Sequence, residues 1–240
     1  MLLLQHNEME PNMTIQIYKV GGAVRDEFLG VKSKDIDFAV EAPSYVAMRD
    51  YIAANGKIFL EKPEFFTIRA KLNGDDADFV LCRKEHGYSD GRRPDSVSAG
   101  DIYDDLSRRD FTVNAIAIRT SDGEVFDPHQ GISDIADRTL RCVGRASDRF
   151  REDSLRLLRA VRFGITKKFF LDSDIRASLE DREMVALLEN VSKERIREEL
   201  NRCMRFDTLA TLKMFEKFPH LRDVVFSDRS LWFEATNKDR

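Results

Sequence analysis

The chain has 240 residues, of which 42% are hydrophobic and 34% charged, a balance typical of a folded globular protein and not of a disordered one. No apolar run approaches the roughly 20 residues that a membrane-spanning helix needs, and the opening leucines lack the basic flank of a signal peptide. The three cysteines form no metal-binding spacing, which argues against zinc and disulfides and predicts a cytoplasmic location. The net charge of −4 is unusual for a nucleic-acid-binding protein, although arginines are concentrated at 138–162.

Strands and helices alternate in the first part of the chain. Residues 14–20 (TIQIYKV) alternate with period two and predict a strand, and residues 23–29 after Gly21-Gly22 predict a helix. The elements predicted after these are a strand at 35–41, a helix at 43–55, strands at 57–61, 64–72 and 76–83, a loop at 84–100 and a short helix at 101–109.

From about residue 145 the pattern becomes helical. Residues 148–164, 173–190 and 192–206 all space their apolar side chains at helical intervals. The chain therefore predicts an α+β fold, in which an extension (1–14) precedes a domain with a mixed β-sheet and flanking helices (15–143) and a helical region (144–240).

Asp35 and Asp37 lie two residues apart on a predicted strand, so both side chains should point to one face. Two carboxylates this close repel each other unless a cation lies between them, and Mg²⁺ is the usual cation where oxygen ligands converge. A pair of aspartates alone is weak evidence, because two polar residues at the mouth of a strand give the same pattern.

Gly21 and Gly22 join the first strand to the first helix, a turn whose backbone N–H groups can approach phosphate oxygens closely. Arg25, in the first turn of that helix, would add a charge-assisted bond to the same phosphates. A tight turn with a surface arginine explains these residues equally well. The Walker pattern GxxxxGK[ST] does not occur in the chain.

Several segments taken together resemble one family. VGGAVRDEFLGVKSKDIDFAV (20–40), RRDFTVNAIAI (108–118), DPHQGISDIADRTLRCV (127–143) and EDSLRLLRAVRF (152–163) resemble, in order, the motifs of the tRNA nucleotidyltransferase and bacterial poly(A) polymerase family of the polymerase-β superfamily. ERIREEL (194–200) resembles a later helical motif more loosely. The resemblance covers roughly residues 15–205 and implies a nucleotidyltransferase head followed by a helical neck and RNA-binding region with a shortened body and tail.

The resemblance implies that Asp35 and Asp37 are catalytic and hold two Mg²⁺ ions, one activating the primer 3′-hydroxyl and the other neutralising the triphosphate. A third carboxylate is expected on a neighbouring strand. Asp78 is our candidate, and Asp76 on the same face is the alternative. No nucleophilic histidine or covalent intermediate is required, since such catalysis rests on positioning and electrostatics.

The resemblance also implies a set of nucleotide-binding residues. It assigns Asp110 to the ribose hydroxyls, and Arg109 and Asn114 to the sugar and phosphates, whereas locally the RRD segment also fits a helix end. Asp153 and Arg156, predicted as i, i+3 neighbours on one helix face, would read the base of CTP or ATP, and Arg159 would reach phosphate. Locally, Asp153 and Arg156 also fit a solvated salt bridge. The remaining members of the predicted set are Gly21, Gly22 and Arg25.

The resemblance implies that the chain adds CMP and AMP from CTP and ATP to tRNA 3′ ends and releases pyrophosphate. Poly(A) addition, or partial CC- or A-addition, uses nearly the same motifs, and a non-catalytic RNA-binding module is the alternative of another class. Residues 90–94 resemble a mobile segment of the family that switches nucleotide preference. Family members continue beyond this length, so we expect that RNA is gripped differently, that a homodimer or partner subunit supplies the missing surface, or that the substrate is not a full tRNA.

Overall fold

The computed structural model describes residues 15–33, 35–86 and 96–227, with the side chains of residues 85 and 86 excepted. The predicted extension (1–14) and residues 90–94 lie outside this part. The strands are β1 Gln16–Val20, β2 Asp37–Glu41, β3 Gly56–Lys62, β4 Thr67–Leu72, β5 Asp75–Leu81, β6 Arg83–His86, β7 Ser96–Ala99, β8 Ala117–Arg119, β9 Val125–Phe126, β10 Thr139–Leu140 and β11 Phe170–Leu171.

Helices surround these strands and make up most of the described chain after residue 145. They are α1 Gly22–Phe28, α2 Tyr45–Asn55, α3 Ile102–Ser107, α4 Gly131–Ala136, α5 Ala146–Glu152, α6 Leu155–Thr166, α7 Ser173–Glu180, α8 Arg182–Ala186, α9 Lys193–Phe206, α10 Thr208–Lys217 and α11 Pro219–Phe226, with 3-10 turns at Pro63–Phe65, Thr112–Asn114 and Leu187–Asn190. The α+β prediction is confirmed. None of the helices in the described ranges is long and apolar enough to cross a membrane.

A mixed sheet with strand order β3-β4-β5-β2-β1-β8-β9 organises the first part of the chain. Strand β1 pairs antiparallel with β2, which places Val20 opposite Asp37. Strand β2 pairs parallel with β5, which places Asp37 opposite Asp78. The end of β1, just before Gly21, and the starts of β2 and β5 therefore lie at one edge of the sheet.

The two faces of this sheet bury different apolar side chains. On one face, Phe38 stacks on Phe79 with ring centroids 5.0 Å apart, and the cluster around them includes Met48 and Ile52 of α2. Side chains alternate along a strand, so Asp37, next to Phe38, and Asp78, next to Phe79, belong to the opposite face, where α3 packs.

The largest apolar cluster joins the sheet domain to the helices. Val24 of α1 and Phe111 pack in the same cluster as side chains of α6 and α9, and the rings of Phe111 and Phe163 meet edge to face with centroids 5.5 Å apart. The core therefore continues across residue 143, and the division between 15–143 and 144–240 stays a prediction.

Three local predictions were wrong. Residues 84–100 were predicted as a loop, but β6 and β7 pair antiparallel from Arg83↔Ala99 to His86↔Ser96, although RKEH and SVSA have little strand propensity apart from Val97. Strand β2 begins at Asp37, so Asp35 lies before the strand instead of on it. The helix predicted through 148–164 breaks at Asp153, whose backbone is extended at φ −149° and ψ 101°, and whose Oδ1 accepts the N–H of Leu155 at 3.1 Å. A capping aspartate thus starts a new helix.

Gly131, the first residue of α4, contacts the backbone of the 3-10 turn Thr112–Asn114. A Cβ at Gly131 would lie 2.2 Å from the carbonyl oxygen of Thr112. Because that oxygen is a backbone atom, the clash could be relieved only by a shift of the turn. We expect Gly131→Ala to lower the free energy of unfolding by about 1–3 kcal/mol in urea denaturation. Gly164→Ala in α6 is the control, since its nearest atoms are 3.5 Å away and alanine favours helix. Equal losses in both variants would contradict this account.

Candidate active site

Carboxylates gather at the sheet edge where β2 and β5 begin. Desolvation by the surrounding protein, followed by the charges of Asp78 and Asp35, raises the pKa of Asp37 above its ordinary value, and Arg109 opposes the shift. Asp78 also pairs with Arg69 at 3.2 Å. In the described ranges no group of three or more acidic, histidine or cysteine side chains is arranged to hold a metal by itself. A cation here would need further oxygen ligands.

Asp76, the alternative to Asp78, lies two residues further from Asp37 along β5. It is exposed and faces Lys71, with 3.8 Å between the Lys71 Nζ and an Asp76 carboxylate oxygen. Asp78 is the residue in register with Asp37. The strand register therefore favours Asp78 as the third carboxylate.

Gly21 makes the turn between β1 and α1 with a positive φ of 70°. A Cβ at Gly21 would lie 2.9 Å from Nη1 of Arg109, so glycine allows both the turn and the approach of this guanidinium. The charge of Arg109 also acts on Asp37 and opposes the rise in the pKa of that carboxyl. The glycine turn, the acidic edge and the RRD segment are thus brought together.

Asp105 holds the two arginines of the RRD segment. Its carboxylate is fully buried, accepts Nη2 of Arg109 at 2.8 Å and also pairs with Arg108. Burial alone would raise the pKa of Asp105, but Arg109 and Arg108 outweigh it and lower that pKa. Sequence reasoning missed this residue, although an aspartate three and four positions before two arginines is a recognisable helical ion-pair spacing.

Arg25 lies in the interior, not on the surface. Its Nη1 donates to Oδ1 of Asn114 at 2.6 Å and its Nε to Oδ1 of Asp26 at 2.9 Å, and its guanidinium lies 5.0 Å from the centroid of the Phe163 ring. The guanidinium is thus bonded inside the protein beside the glycine turn, and the bond from Arg25 to phosphate stays a prediction.

Asp110 is buried and fully bonded. Its Oδ1 accepts Nδ2 of Asn114 at 3.0 Å and the N–H of Phe111 at 2.8 Å, and its Oδ2 accepts Nε and Nη2 of Arg159 at 2.9 and 2.5 Å. Burial raises the pKa of this carboxyl, but the charge of Arg159 and the bond from Asn114 outweigh it and hold the pKa at about 2. Arg159 pairs with Asp110 in this structure, and its predicted contact with phosphate stays a prediction.

Asp153 and Arg156 do not share one continuous helix face, and that predicted geometry is wrong. Asp153 accepts Nη2 of Arg195 at 2.9 Å, whereas Nη1 of Arg156 donates to Glu152 at 2.8 Å. Nη2 of Arg156 donates to the carbonyl oxygen of Arg108 at 3.3 Å. The solvated Asp153–Arg156 salt bridge, the local alternative, is not the arrangement either. Arg156 instead joins the start of α6 to the RRD segment.

Helix α9, which contains the loosely matching segment 194–200, packs against α6. Besides Arg195, it contributes Glu199, which is 5% exposed and accepts Nε of Arg162 at 2.5 Å. A Glu199 oxygen also lies 3.9 Å from Nη1 of Arg159. Helix α9 thus supports the site through ion pairs to α6.

The segments that meet here also carry the likeness to known proteins. The family model described as the Poly A polymerase head domain matches residues 17–141, and a CCA-adding enzyme of Latilactobacillus sakei is 38% identical over 195 residues, which are 79% of this chain and 46% of that protein. This chain belongs to the tRNA nucleotidyltransferase and poly(A) polymerase family. The chain spans a little under half the length of that relative. Members of this family generally use divalent metal ions.

Solved structures of tRNA nucleotidyltransferases share the fold. The CCA-adding enzyme of Bacillus stearothermophilus in complex with CTP is 31% identical, with a TM-score of 0.69 over 88% of this chain and 48% of that one. A tRNA nucleotidyltransferase complexed with a primer tRNA and an incoming ATP analogue is 28% identical, with a TM-score of 0.72 over 88% of this chain and 60% of that one. The predicted nucleotidyltransferase fold is confirmed.

Ionisation of Asp110 should make stability depend on pH. The pKa falls from 3.8 to about 2 on folding, so the ionised carboxylate contributes about 2 kcal/mol to the free energy of unfolding above pH 4. This contribution is lost as the pH falls through about 2. In urea denaturation, we expect the free energies of unfolding of the wild type and Asp110→Asn to differ by a constant amount above about pH 5. This difference in free energy should become smaller below pH 4. A difference independent of pH down to pH 3 would contradict the assigned ion pair.

Proposed function

We propose that this chain carries the catalytic part of a template-independent RNA nucleotidyltransferase that adds CMP and AMP from CTP and ATP to tRNA 3′ ends. The observation that carries the proposal is the convergence of the Gly21 turn, the Asp37 and Asp78 edge, and Arg109 and Asp110 at one end of the sheet. Relatives that share this fold bind CTP, or a primer tRNA with an ATP analogue, which supports the same ligands here.

The residues present fit Mg²⁺. The donor set at the edge is made of carboxylate oxygens. Desolvation by surrounding protein and then the charges of Asp78 and Asp35 raise the pKa of Asp37, and a cation would relieve this repulsion between carboxylates. Mg²⁺ is commonly held by one or two carboxylates together with substrate phosphates, so the proposed ligands are Asp35, Asp37 and Asp78 with a triphosphate. When bound, the metal supplies charge neutralisation at the phosphates and lowers the pKa of the attacking hydroxyl.

The other residues act by positioning. Gly21 and Gly22 allow the triphosphate to approach the backbone closely, and Arg109, braced by Asp105, places a positive charge beside it. Asp110 and Asn114 are proposed to contact the sugar, and Asp153 and Arg156 the base. Phosphoryl transfer with this set requires no covalent intermediate, because alignment and fixed charges lower the barrier.

Poly(A) addition and partial CC- or A-addition remain rivals, and the matching family model itself describes a poly(A) polymerase head. A non-catalytic RNA-binding module is less well supported, since it would not need carboxylates in register on β2 and β5. Incorporation of labelled CTP or ATP, supplied separately to a tRNA that lacks its CCA end, separates these functions by product length and composition. A cytoplasmic location and an RNA-gripping contribution from a second copy or partner subunit belong to the same proposal.

Asp37→Asn should abolish incorporation, because an amide no longer offers the charge that holds a divalent cation against phosphate. We expect the rate to fall at least about 100-fold, with an unchanged unfolding transition. Asp75→Asn is the matched control, since Asp75 is an exposed residue of β5 three positions from Asp78 and therefore on the other face. Wild-type rates for Asp37→Asn with Mg²⁺ present would sink the mechanism.

Arg156→Ala should alter the choice among the four nucleoside triphosphates more than the rate of transfer with the best one. The guanidinium group of Arg156 donates a hydrogen bond to the carbonyl oxygen of Arg108 in the RRD segment. A site that hydrogen-bonds one base rejects other bases because they leave its polar groups unpaired. The measurement is kcat/KM for CTP, ATP, GTP and UTP on one primer. Arg145→Ala is the control, because Arg145 is exposed and pairs with Asp148. Unchanged preference in Arg156→Ala would remove the base-reading role.

A further inference from the structure

A buried chain of polar contacts connects the end of α6 to the predicted ribose-binding carboxylate. It begins at Lys167, directly after α6, whose Nζ donates to both carboxylate oxygens of Asp26 at 2.9 and 3.1 Å. Asp26 in turn accepts Nε and Nη2 of Arg25 at 2.9 and 2.8 Å. Lys167, directly after α6, and Arg25 of α1 thus both donate hydrogen bonds to the carboxylate of Asp26.

The chain continues to Asp110. Nη1 of Arg25 donates to Oδ1 of Asn114 at 2.6 Å, and Nδ2 of Asn114 donates to Oδ1 of Asp110 at 3.0 Å. Arg25, Asp26, Asn114 and Asp110 are each no more than 8% exposed. Water therefore has little access, and each member depends on its neighbours for hydrogen bonds.

The direction of these bonds fixes the Asn114 amide. Its oxygen must face Arg25, which only donates, and its nitrogen must face the Asp110 carboxylate, which only accepts. Arg25 can hold this position because Asp26 neutralises it. Among the described residues, Asp26 is the carboxylate that bonds Arg25. Without that charge, a buried guanidinium would lack a counter-ion, an expensive arrangement that the protein would relieve by moving Arg25.

We propose that Asp26 is a positioning residue for the nucleotide sugar. Acting through Arg25 and Asn114, it orients Asp110, and Lys167 couples that orientation to the end of α6. This inference rests on the proposed function. It gives helix α1, which follows the Gly21 turn, a part in recognising the ribose. The competing account is that Asp26 and Lys167 only join the sheet domain to the helices.

The first experiment does not depend on catalysis. Hydrogen bonds through Arg25 and Asn114 join Asp26 to Asp110, so Asp26→Asn and Asp110→Asn should be non-additive in a double-mutant cycle of urea unfolding. Asp134→Asn with Asp110→Asn is the control cycle. Asp134 is also buried and bonds Thr112 of the same 3-10 turn, but it lies outside the polar chain. Additive effects in the Asp26 cycle would overturn the proposal.

The second experiment measures sugar selection. We expect Asp26→Asn to raise KM for CTP about tenfold and to reduce the preference for CTP over 2′-deoxy-CTP by a similar factor, with a smaller change in kcat. Lys167→Met should change both in the same direction but less, and Asp134→Asn should leave the preference unchanged. A folded Asp26→Asn with wild-type sugar preference, or an equal loss in Asp134→Asn, would overturn the positioning role. A wild type that incorporates nothing would sink the proposed function, and the unfolding cycle would still decide whether the polar chain exists.

Discussion

The ion pair between Asp110 and Arg159 is the contact on which the rest of the site depends. A carboxylate that is 8% exposed is tolerated as an ion only when a cation and further donors surround it. Arg159 belongs to α6 and Asp110 to the segment before the 3-10 turn, so the pair fixes the helical region against the sheet domain. Asn114, Arg25 and Arg156 then meet at the same junction.

Other buried charges follow the same rule. Asp105 is accompanied by two arginines and Glu199 by one close arginine, so the polar interior is built from matched pairs. By contrast, the side chains of Asp35 and Asp37 at the acidic edge of the sheet are exposed. The charges that give the site its shape are thus buried and paired, whereas Asp35 and Asp37, two of the proposed cation ligands, lie exposed.

The parts of this site that follow from local pattern were predictable. Gly21-Gly22 between a strand and a helix, the strand after Asp37 and the helices after residue 145 all have short-range signals, and the ordered motifs identified the family. The break at Asp153 was not predictable from spacing, because apolar residues keep the helical period on both sides of it. The contacts of Asp26 with Lys167 join residues 141 positions apart, and no local pattern carries such a pairing. The buried position of the Arg25 side chain was not predictable for the same reason, since its partner Asn114 is 89 positions away.

The shared core has a consequence for how this protein acquires its structure. Val24, Phe111 and Val113 pack with side chains of α6 and α9, and Asp26 and Asp110 find their cations at Lys167 and Arg159. A fragment that ended at residue 143 would expose that apolar surface, remove Arg159 from Asp110 and leave Asp26 with Arg25 but without Lys167. We therefore expect the stretch matched by the family model, 17–141, to need the helices that follow it in order to fold cooperatively. The proposed nucleotide site would then form only with those helices in place.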